Sequence, residues 1–283
     1  MNDVIVIGAG FAGLMGAAAL CDRGLRPLIL TRGNGTTHWS HGCIDLFGYG
    51  HGRANEPIEA PMAAIGDLVA STLAHPYALA GLDQLRAACE RFRQIMADAG
   101  YPFVGSLDRN VMVPTAAGAL RPTALLPITM AAADMRLGGE LLVVGFQELR
   151  DFFPPMIAAN LRAQGYSARG AYLKMPPNQG RLDYFPTVLA RLFDDPAFRA
   201  DVGAQVRALR SGATRVAFPA VLGFDRPLEV LRDLQARCGA QVFEIPMLPP
   251  SVPGIRIWER MKHALVAMGA RVEIGSEVVR GEA

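Results

Sequence analysis

A predicted strand, a glycine turn and a predicted helix follow one another over residues 4–23. The four residues from Val4 to Ile7 are β-branched and apolar, which is typical of a strand buried on both faces. The spacing Gly-x-Gly-x-x-Gly follows at residues 8–13, and an alanine-rich helix pattern continues to Arg23. Because the glycines stand between a strand and a helix, the sequence predicts a dinucleotide site with a pyrophosphate at the helix N-terminus.

Each glycine of this turn has a separate physical role. Gly8 permits the tight turn, Gly10 lets a phosphate approach the backbone, and Gly13 lets the helix pack closely on the strand. We therefore predict cofactor contacts at Gly8, Gly10, Phe11, Ala12 and Gly13. The alternative is a glycine-rich turn in an ordinary strand–helix unit.

The apolar run from Val4 to Cys21 is uncharged and long enough to resemble a signal peptide or a membrane anchor. No positive charge precedes it, and Leu20 is too large for the small residue that a cleavage site needs. No other run is long enough to span a bilayer. We therefore expect the run to belong to the fold and the chain to have no direct membrane span.

Composition excludes several partner classes. The net charge of the 283 residues is +2, which is too small to indicate nucleic acid or an anionic membrane. The four cysteines form no Cys-x-x-Cys pair, which argues against an iron–sulfur cluster or structural zinc within this chain. Scattered thiols are typical of a reducing cytoplasm, so we expect a cytoplasmic protein without a metal site.

The second predicted strand, residues 27–30, lacks the acidic residue that usually ends this strand and binds an adenosine ribose. Thr31 and Arg32 stand there instead. Arg32 is either a contact for a 2′-phosphate, which would favour NADP, or a solvated loop residue. The polar loop that follows contains Ser40 and Gly42, and its two histidines, at positions 38 and 41, are candidates for acid–base chemistry or exposed loop residues.

Strand and helix patterns alternate through the rest of the chain, which predicts an α/β fold. Residues 141–145 read as a buried strand, followed by a helix over 153–164 and a strand near 168–173. Pro219 lies within a further strand pattern over 215–222, which favours an edge strand or an irregular segment. A helix over 258–268 and a strand over 271–274 come last.

The sequence resembles the B subunit of anaerobic glycerol-3-phosphate dehydrogenase over essentially its whole length. The resemblance rests on the glycine turn and on five further segments: Thr31-Arg32-Gly33, the loop from His38 through Ser40 and Gly42 to Asp45-Leu46, His75-Pro76-Tyr77, Leu248-Pro249-Pro250-Ser251-Val252 and Gly254-Ile255-Arg256. This family implies a flavoprotein subunit of a cytoplasmic complex, associated with the membrane through a partner subunit. The complex oxidises sn-glycerol 3-phosphate to dihydroxyacetone phosphate and passes electrons to quinone in anaerobic respiration.

The resemblance also implies a cofactor, partners and site residues. The cofactor would be FAD, with FMN as the alternative, and the partners would be subunits A and C. Thr31 and Arg32 would replace the acidic ribose ligand, Ser40 and Gly42 would lie near the flavin, and the backbone of Val278 would meet the adenine. His41 and Cys43 stand where the family tends toward serine. No catalytic base is assigned.

These observations predict a Rossmann-like flavin- and dinucleotide-binding domain with a large inserted α/β domain. The first domain would comprise residues 1–60 and 251–283, and the inserted substrate or partner domain residues 61–250. Nothing after Ile274 resembles the late glycine-rich segment of such flavoproteins, so we expect an incomplete flavin site and association through an open strand edge. The alternatives are an NAD(P)-dependent reductase and a non-catalytic structural subunit of a dehydrogenase complex.

Overall fold

The computed structural model describes residues 2–50, 56–175 and 183–281. The strands in these ranges are β1 (Val4–Ile7), β2 (Pro27–Thr31), β3 (Phe103–Gly105), β4 (Val111–Pro114), β5 (Leu120–Thr123), β6 (Leu125–Pro127), β7 (Leu141–Phe146), β8 (Ala168–Leu173), β9 (Arg215–Pro219), β10 (Gln241–Ile245) and β11 (Arg271–Ile274). The α-helices are α1 (Phe11–Cys21), α2 (Pro61–Ser71), α3 (Pro76–Ala80), α4 (Leu82–Asp98), α5 (Pro154–Ala163), α6 (Pro186–Phe193), α7 (Pro196–Arg210), α8 (Pro227–Cys238) and α9 (Val252–Ala267).

The first sheet joins the two ends of the chain. Its order is β1-β2-β11 and all three strands are parallel, with Ile29 of β2 paired with Val6 on one side and Val272 on the other. Helices α1 and α9 pack together on the face that carries Ile29, which is fully buried. The predicted first, second and last strands are therefore confirmed, and they form one sheet.

The prediction that the first strand is buried on both faces is wrong. Ile5 and Ile7 are 61% and 69% exposed, whereas Val6 between them is partly buried. Side chains alternate between the two faces of a strand, and α1 and α9 cover only one of these faces. Among the described residues no helix packs on the other face of β1, and no strand pairs with its outer edge.

The second sheet has the order β10-β9-β7-β8 and is also parallel. Every residue of β7 is buried, and helix α5 connects it to β8, as the pattern over residues 141–173 predicts. The prediction of an edge strand around Pro219 is wrong, because β9 lies between β10 and β7. Pro219 is tolerated there because it is the last residue of β9, and pairing with β7 stops at Ala217.

Two hydrophobic cores correspond to the two sheets. Helices α2 and α4 contribute Met62, Ile65 and Phe92 to the core of the first sheet, although the sequence places residues 61–250 in an inserted domain. The 3.6-residue spacing predicts correctly that one face of α4 is buried, but such spacing does not show which core buries it. The domain boundaries at residues 60 and 250 stay a prediction.

A buried ion pair connects α9 to the second sheet. The Arg256 guanidinium, 1% exposed, lies 2.9 Å from Oε2 of Glu244 in β10, and its Nε donates to the Gly223 carbonyl over 2.8 Å. Nη1 of Arg256 also donates to the Tyr101 hydroxyl over 3.2 Å. Burial alone would lower the pKa of Arg256, but the Glu244 carboxylate outweighs this effect and holds the pKa above its ordinary value.

Breaking this pair is expected to destabilise the fold strongly. Glu244→Leu leaves the Arg256 charge buried without its partner, which costs about 3–5 kcal/mol of unfolding free energy. The double variant Glu244→Leu with Arg256→Met removes both charges and should recover most of that loss. Urea unfolding followed by circular dichroism measures both values.

The control for this experiment is the more exposed Arg93–Glu90 pair of α4, with an N–O distance of 3.1 Å. Arg93→Ala should cost about 1 kcal/mol or less, because exposed pairs are screened by solvent. If Glu244→Leu were as mild as Arg93→Ala, the buried pair would not hold the two cores together.

The open face of β1 is expected to bind apolar partners, including other copies of the chain. Replacing Ile5 and Ile7 by threonine keeps β-branched side chains and removes apolar surface. We expect the double variant to bind less of the dye anilinonaphthalene sulfonate and to self-associate less in sedimentation velocity. Val279→Thr, at a position 89% exposed outside the sheet, is the matched control. Equal dye binding and equal association in the double variant and wild type would contradict this expectation.

Candidate dinucleotide-binding site

The glycine turn has the geometry that its spacing predicts. Gly8 adopts φ +99°, and its N–H donates to the Leu30 carbonyl over 2.8 Å, so the turn starts directly at the edge of the sheet. A Cβ on Gly13 would overlap the Gly8 carbonyl oxygen, whereas a Cβ on Gly8 or Gly10 would meet no atom within 4 Å. Gly13 is thus required for the packing of α1 on β1. The side-chain direction of Gly10 is open, while Gly35 of the loop after β2 packs against the Gly10 backbone.

The N-terminus of α1 offers hydrogen-bond donors to a ligand. The amides of Phe11, Ala12 and Gly13 occupy the first three helical positions, where no carbonyl of the same helix can accept. Gly10 is the N-cap and supplies no side chain, and the first turn contains no acidic residue. Open space, free donors and the positive end of the helix dipole together suit an anion such as a pyrophosphate.

Helix α9 supports the glycine turn through a hydrogen bond from Trp258 to the backbone of the turn. Nε1 of the buried Trp258 donates to the Ala9 carbonyl over 2.9 Å. The His38 ring packs edge-on against Trp258 with ring centres 5.1 Å apart, and the His38 carbonyl accepts from the amide of Ser251 over 3.1 Å. Burial lowers the pKa of His38 below its ordinary value, so this ring is mainly neutral at pH 7.

The loop after β2 closes on the first turn of α9. Gly42 adopts φ +89°, and a Cβ there would overlap the Pro253 side chain. A Cβ on Gly254 would overlap the Thr37 carbonyl. Gly42, which the resemblance places near the flavin, is thus also needed for the contact between this loop and α9.

A cavity of about 340 Å³ opens beside the start of α1. Its walls include Phe11 of α1, Ile257 of α9 and the loop residues Thr37, Ser40 and His41. The hydroxyl oxygens of Thr37 and Ser40 are buried and have no hydrogen-bond partner in the structure. Both oxygens are closed off from solvent, so a ligand in the cavity would reach them only after these side chains rotate.

Both ring nitrogens of His41 are engaged. Nδ1 accepts from the Cys43 amide over 3.1 Å, and Nε2 lies 3.3 Å from Oδ2 of Asp45, which also pairs with Arg121. Burial would raise the pKa of Asp45, but the contacts with His41 and Arg121 outweigh it and lower that pKa. Burial raises the pKa of the Cys43 thiol to about 12, so the thiol stays protonated and is a poor nucleophile.

The end of β2 carries an ion pair. The buried Thr31 hydroxyl donates to the Gly33 carbonyl over 2.5 Å, and Nη1 of Arg32 lies 3.4 Å from Oε1 of Glu277. The Thr31 carbonyl accepts from the amides of Gly275 and Ser276, which holds the segment after β11 beside β2. Val278, the predicted adenine contact, follows in this segment and is 37% exposed.

The structure therefore brings the predicted residues to one edge of the first sheet. Thr31 ends β2, and Gly8 to Gly13, Arg32 and Val278 follow carboxyl ends of its strands. Ser40 lies in the adjoining loop. Sequence reasoning missed Trp258 as a support of the turn, although its helical spacing indicates burial. It also missed Glu277, for which no local signal exists, because its position depends on the pairing of β11 with β2.

Within the described residues, none of the helices combines the length and the apolar composition needed to cross a bilayer.

The chain matches a family of known proteins over nearly its whole length. The family described as FAD binding domain matches residues 3–283. Among solved structures, the chain is similar to a 3-ketosteroid Δ1-dehydrogenase from Sterolibacterium denitrificans, at 16% identity and a TM-score of 0.36, over 96% of this chain and 40% of that one. That similarity is too low to bear on the fold or the site.

The curated relatives share one description. A probable B subunit of anaerobic glycerol-3-phosphate dehydrogenase from Halobacterium salinarum is 35% identical over 98% of this chain and 66% of its own length. The B subunit of the Pectobacterium carotovorum enzyme is 30% identical over 98% of this chain and 67% of its own length. The chain thus spans about two thirds of the length of these relatives. The glycine turn and the free N-terminus of α1 fit the pyrophosphate of FAD. The chain belongs to the FAD-binding domain family and, within it, to the family of B subunits of anaerobic glycerol-3-phosphate dehydrogenases.

Proposed function

We propose that the chain is the flavoprotein subunit of a respiratory glycerol-3-phosphate dehydrogenase, which oxidises sn-glycerol 3-phosphate to dihydroxyacetone phosphate and passes electrons to quinone. The observation that supports this most is the open space at the Cβ position of Gly10, next to the amides of Phe11, Ala12 and Gly13 at the start of α1. We call this space the Gly10 cradle. The Gly10 cradle suits the pyrophosphate of FAD, and the relatives that share this sequence pattern are named as subunits of that dehydrogenase.

The cofactor supplies the redox chemistry, and the chain supplies position and electrostatics. When bound, FAD would supply the two-electron acceptor needed to oxidise the C2 alcohol of the substrate to a ketone. The amides of Phe11, Ala12 and Gly13 would bind the pyrophosphate of FAD. The cavity beside Phe11 would hold the portion of FAD that is attached to the pyrophosphate on that side.

The partners of the chain would be subunits A and C of the same complex, with glycerol 3-phosphate as the small-molecule substrate. Membrane association would then come through a partner subunit. The exposed apolar face of β1, with Ile5 and Ile7, is a surface that suits docking of another polypeptide.

The NADP alternative is less well supported by the geometry. Arg32 is the residue that would bind a 2′-phosphate, but Glu277 lies 3.4 Å from its guanidinium. A phosphate at that place would approach the Glu277 carboxylate, and the two negative charges would repel each other. A non-catalytic structural subunit would keep the same fold and cofactor site, so a turnover measurement is needed to distinguish it.

The proposed function is tested by turnover together with the bound cofactor. The chain, co-purified with any partner subunits, is assayed with sn-glycerol 3-phosphate and a soluble quinone analogue, and the flavin is extracted and identified by absorbance and chromatography. We expect FAD and dihydroxyacetone phosphate. FAD without turnover in the presence of partner subunits would favour the structural role, and nicotinamide-dependent turnover without flavin would overturn the proposal.

Two glycine substitutions should separate cofactor binding from folding. Gly10→Glu places a carboxylate in the Gly10 cradle, so we expect FAD affinity to fall by at least about 100-fold, which is about 2.7 kcal/mol, with little change in circular dichroism. Gly13→Val forces a side chain against the Gly8 carbonyl and should lower the unfolding free energy instead. Flavin titration and thermal unfolding measure the two effects; equal FAD affinity in Gly10→Glu and wild type would contradict the placement of the pyrophosphate.

Nicotinamide binding offers an independent check on Arg32. Because the Glu277 carboxylate beside the guanidinium would repel a 2′-phosphate, titration with NADPH should show no micromolar site in wild type, and Arg32→Ala should not change that result. A micromolar dissociation constant corresponds to about 8 kcal/mol, well above loose surface attraction. Micromolar NADPH binding that disappears in Arg32→Ala would reverse the ranking of the two cofactors.

A further inference from the structure

Three chain segments emerge side by side at the carboxyl edge of the first sheet. The glycine turn follows β1, Arg32 follows β2, and residues 275–278 follow β11, with β2 in the middle. The pairings Ile7–Leu30 and Thr31–Ile274 bring these segments to nearly the same level along the strands. Ligands of parallel sheets bind outside this edge.

The segment after β11 has a defined position. The amides of Gly275 and Ser276 both donate to the Thr31 carbonyl, over 2.8 and 3.0 Å. The next residue, Glu277, then places its carboxylate against Arg32 at 3.4 Å, with its side chain 59% exposed. A carboxylate therefore lies beside the end of β2, although β2 itself ends without an acidic residue.

The position and the chemistry of this carboxylate match those of a ribose ligand. A dinucleotide that begins at the glycine turn extends across the end of the second strand, where an acidic side chain accepts hydrogen bonds from the ribose hydroxyls. Two strand spacings separate β11 from β1, about 10 Å, so adenosine reaching from the turn would pass this place. An exposed ion pair stabilises a fold little, so the pair with Arg32 does not by itself account for the residue.

We propose that Glu277 binds the ribose hydroxyls of the adenosine half of FAD, and that Arg32 is a positioning residue that orients the Glu277 carboxylate beside the end of β2. This inference rests on FAD as the cofactor. The ligand that is usually part of the second strand is thereby supplied by the segment that follows β11. FMN, which lacks adenosine, would not contact Glu277.

The test compares FAD with FMN, since only FAD carries the ribose in question. Dissociation constants are measured by flavin fluorescence titration for wild type and Glu277→Ala, and thermal unfolding reports on the fold. We expect FAD to bind Glu277→Ala about 10- to 100-fold more weakly, as for the loss of hydrogen bonds to a charged group, while FMN affinity changes less than about twofold. Glu273→Ala removes a carboxylate from β11 whose partner is Arg271, and it should leave both affinities unchanged.

The positioning role of Arg32 is tested by the ratio of FAD affinity to FMN affinity. A purely structural effect of Arg32→Ala would lower both affinities alike and leave this ratio unchanged. The ratio of FAD to FMN affinity should fall in Arg32→Ala, less than in Glu277→Ala, and Arg32→Lys should restore part of it. An unchanged ratio in Arg32→Ala would overturn the positioning role.

Two results would overturn the inference about Glu277, and they differ from each other. Equal FAD affinity in wild type and Glu277→Ala would show that Glu277 does not bind the ribose, but it would not contradict FAD binding. A wild-type chain that binds FAD no more tightly than FMN, or binds neither, would show that nothing in it recognises adenosine, and would remove the cofactor assignment as well.

Discussion

The buried pair of Arg256 and Glu244 is the interaction on which the arrangement of the molecule depends most. It anchors the first turns of α9 to β10 of the second sheet, and the same guanidinium reaches the Tyr101 hydroxyl in the core of the first sheet. Helix α9 is thereby fixed between the two cores. A charge in this position must be paired, because burying an unpaired guanidinium is far costlier than burying the pair.

From this anchor, α9 supports the whole candidate site. Its Trp258 holds the Ala9 carbonyl and so fixes the glycine turn, and its first turn accommodates the loop after β2 only because residues 42 and 254 are glycines. The chain leaves α9 into β11, whose pairing with β2 brings Glu277 to Arg32. One helix thus links the second sheet, the glycine turn and the segment that we assign to the adenosine.

The sequence predicts the parts of the fold whose signal is local. The β1–turn–α1 unit, the β7–α5–β8 unit and the last strand are correct, because each has its own pattern of apolar residues and glycines. The exposure of Ile5 and Ile7 is not predicted, because it depends on what covers the second face of the sheet. The interior position of β9 and the approach of Glu277 to Arg32 depend likewise on pairing between strands that are distant in sequence.

The most direct test of the central claim, that FAD lies along the carboxyl edge of the first sheet, is amide hydrogen exchange of the chain with and without FAD. We expect added protection at the start of α1, residues 10–14, and after β11, residues 275–278, because the free amides of α1 would donate to the pyrophosphate and adenosine would cover the second segment. Protection confined to the second sheet, with the amides of Phe11, Ala12 and Gly13 unchanged, would contradict it.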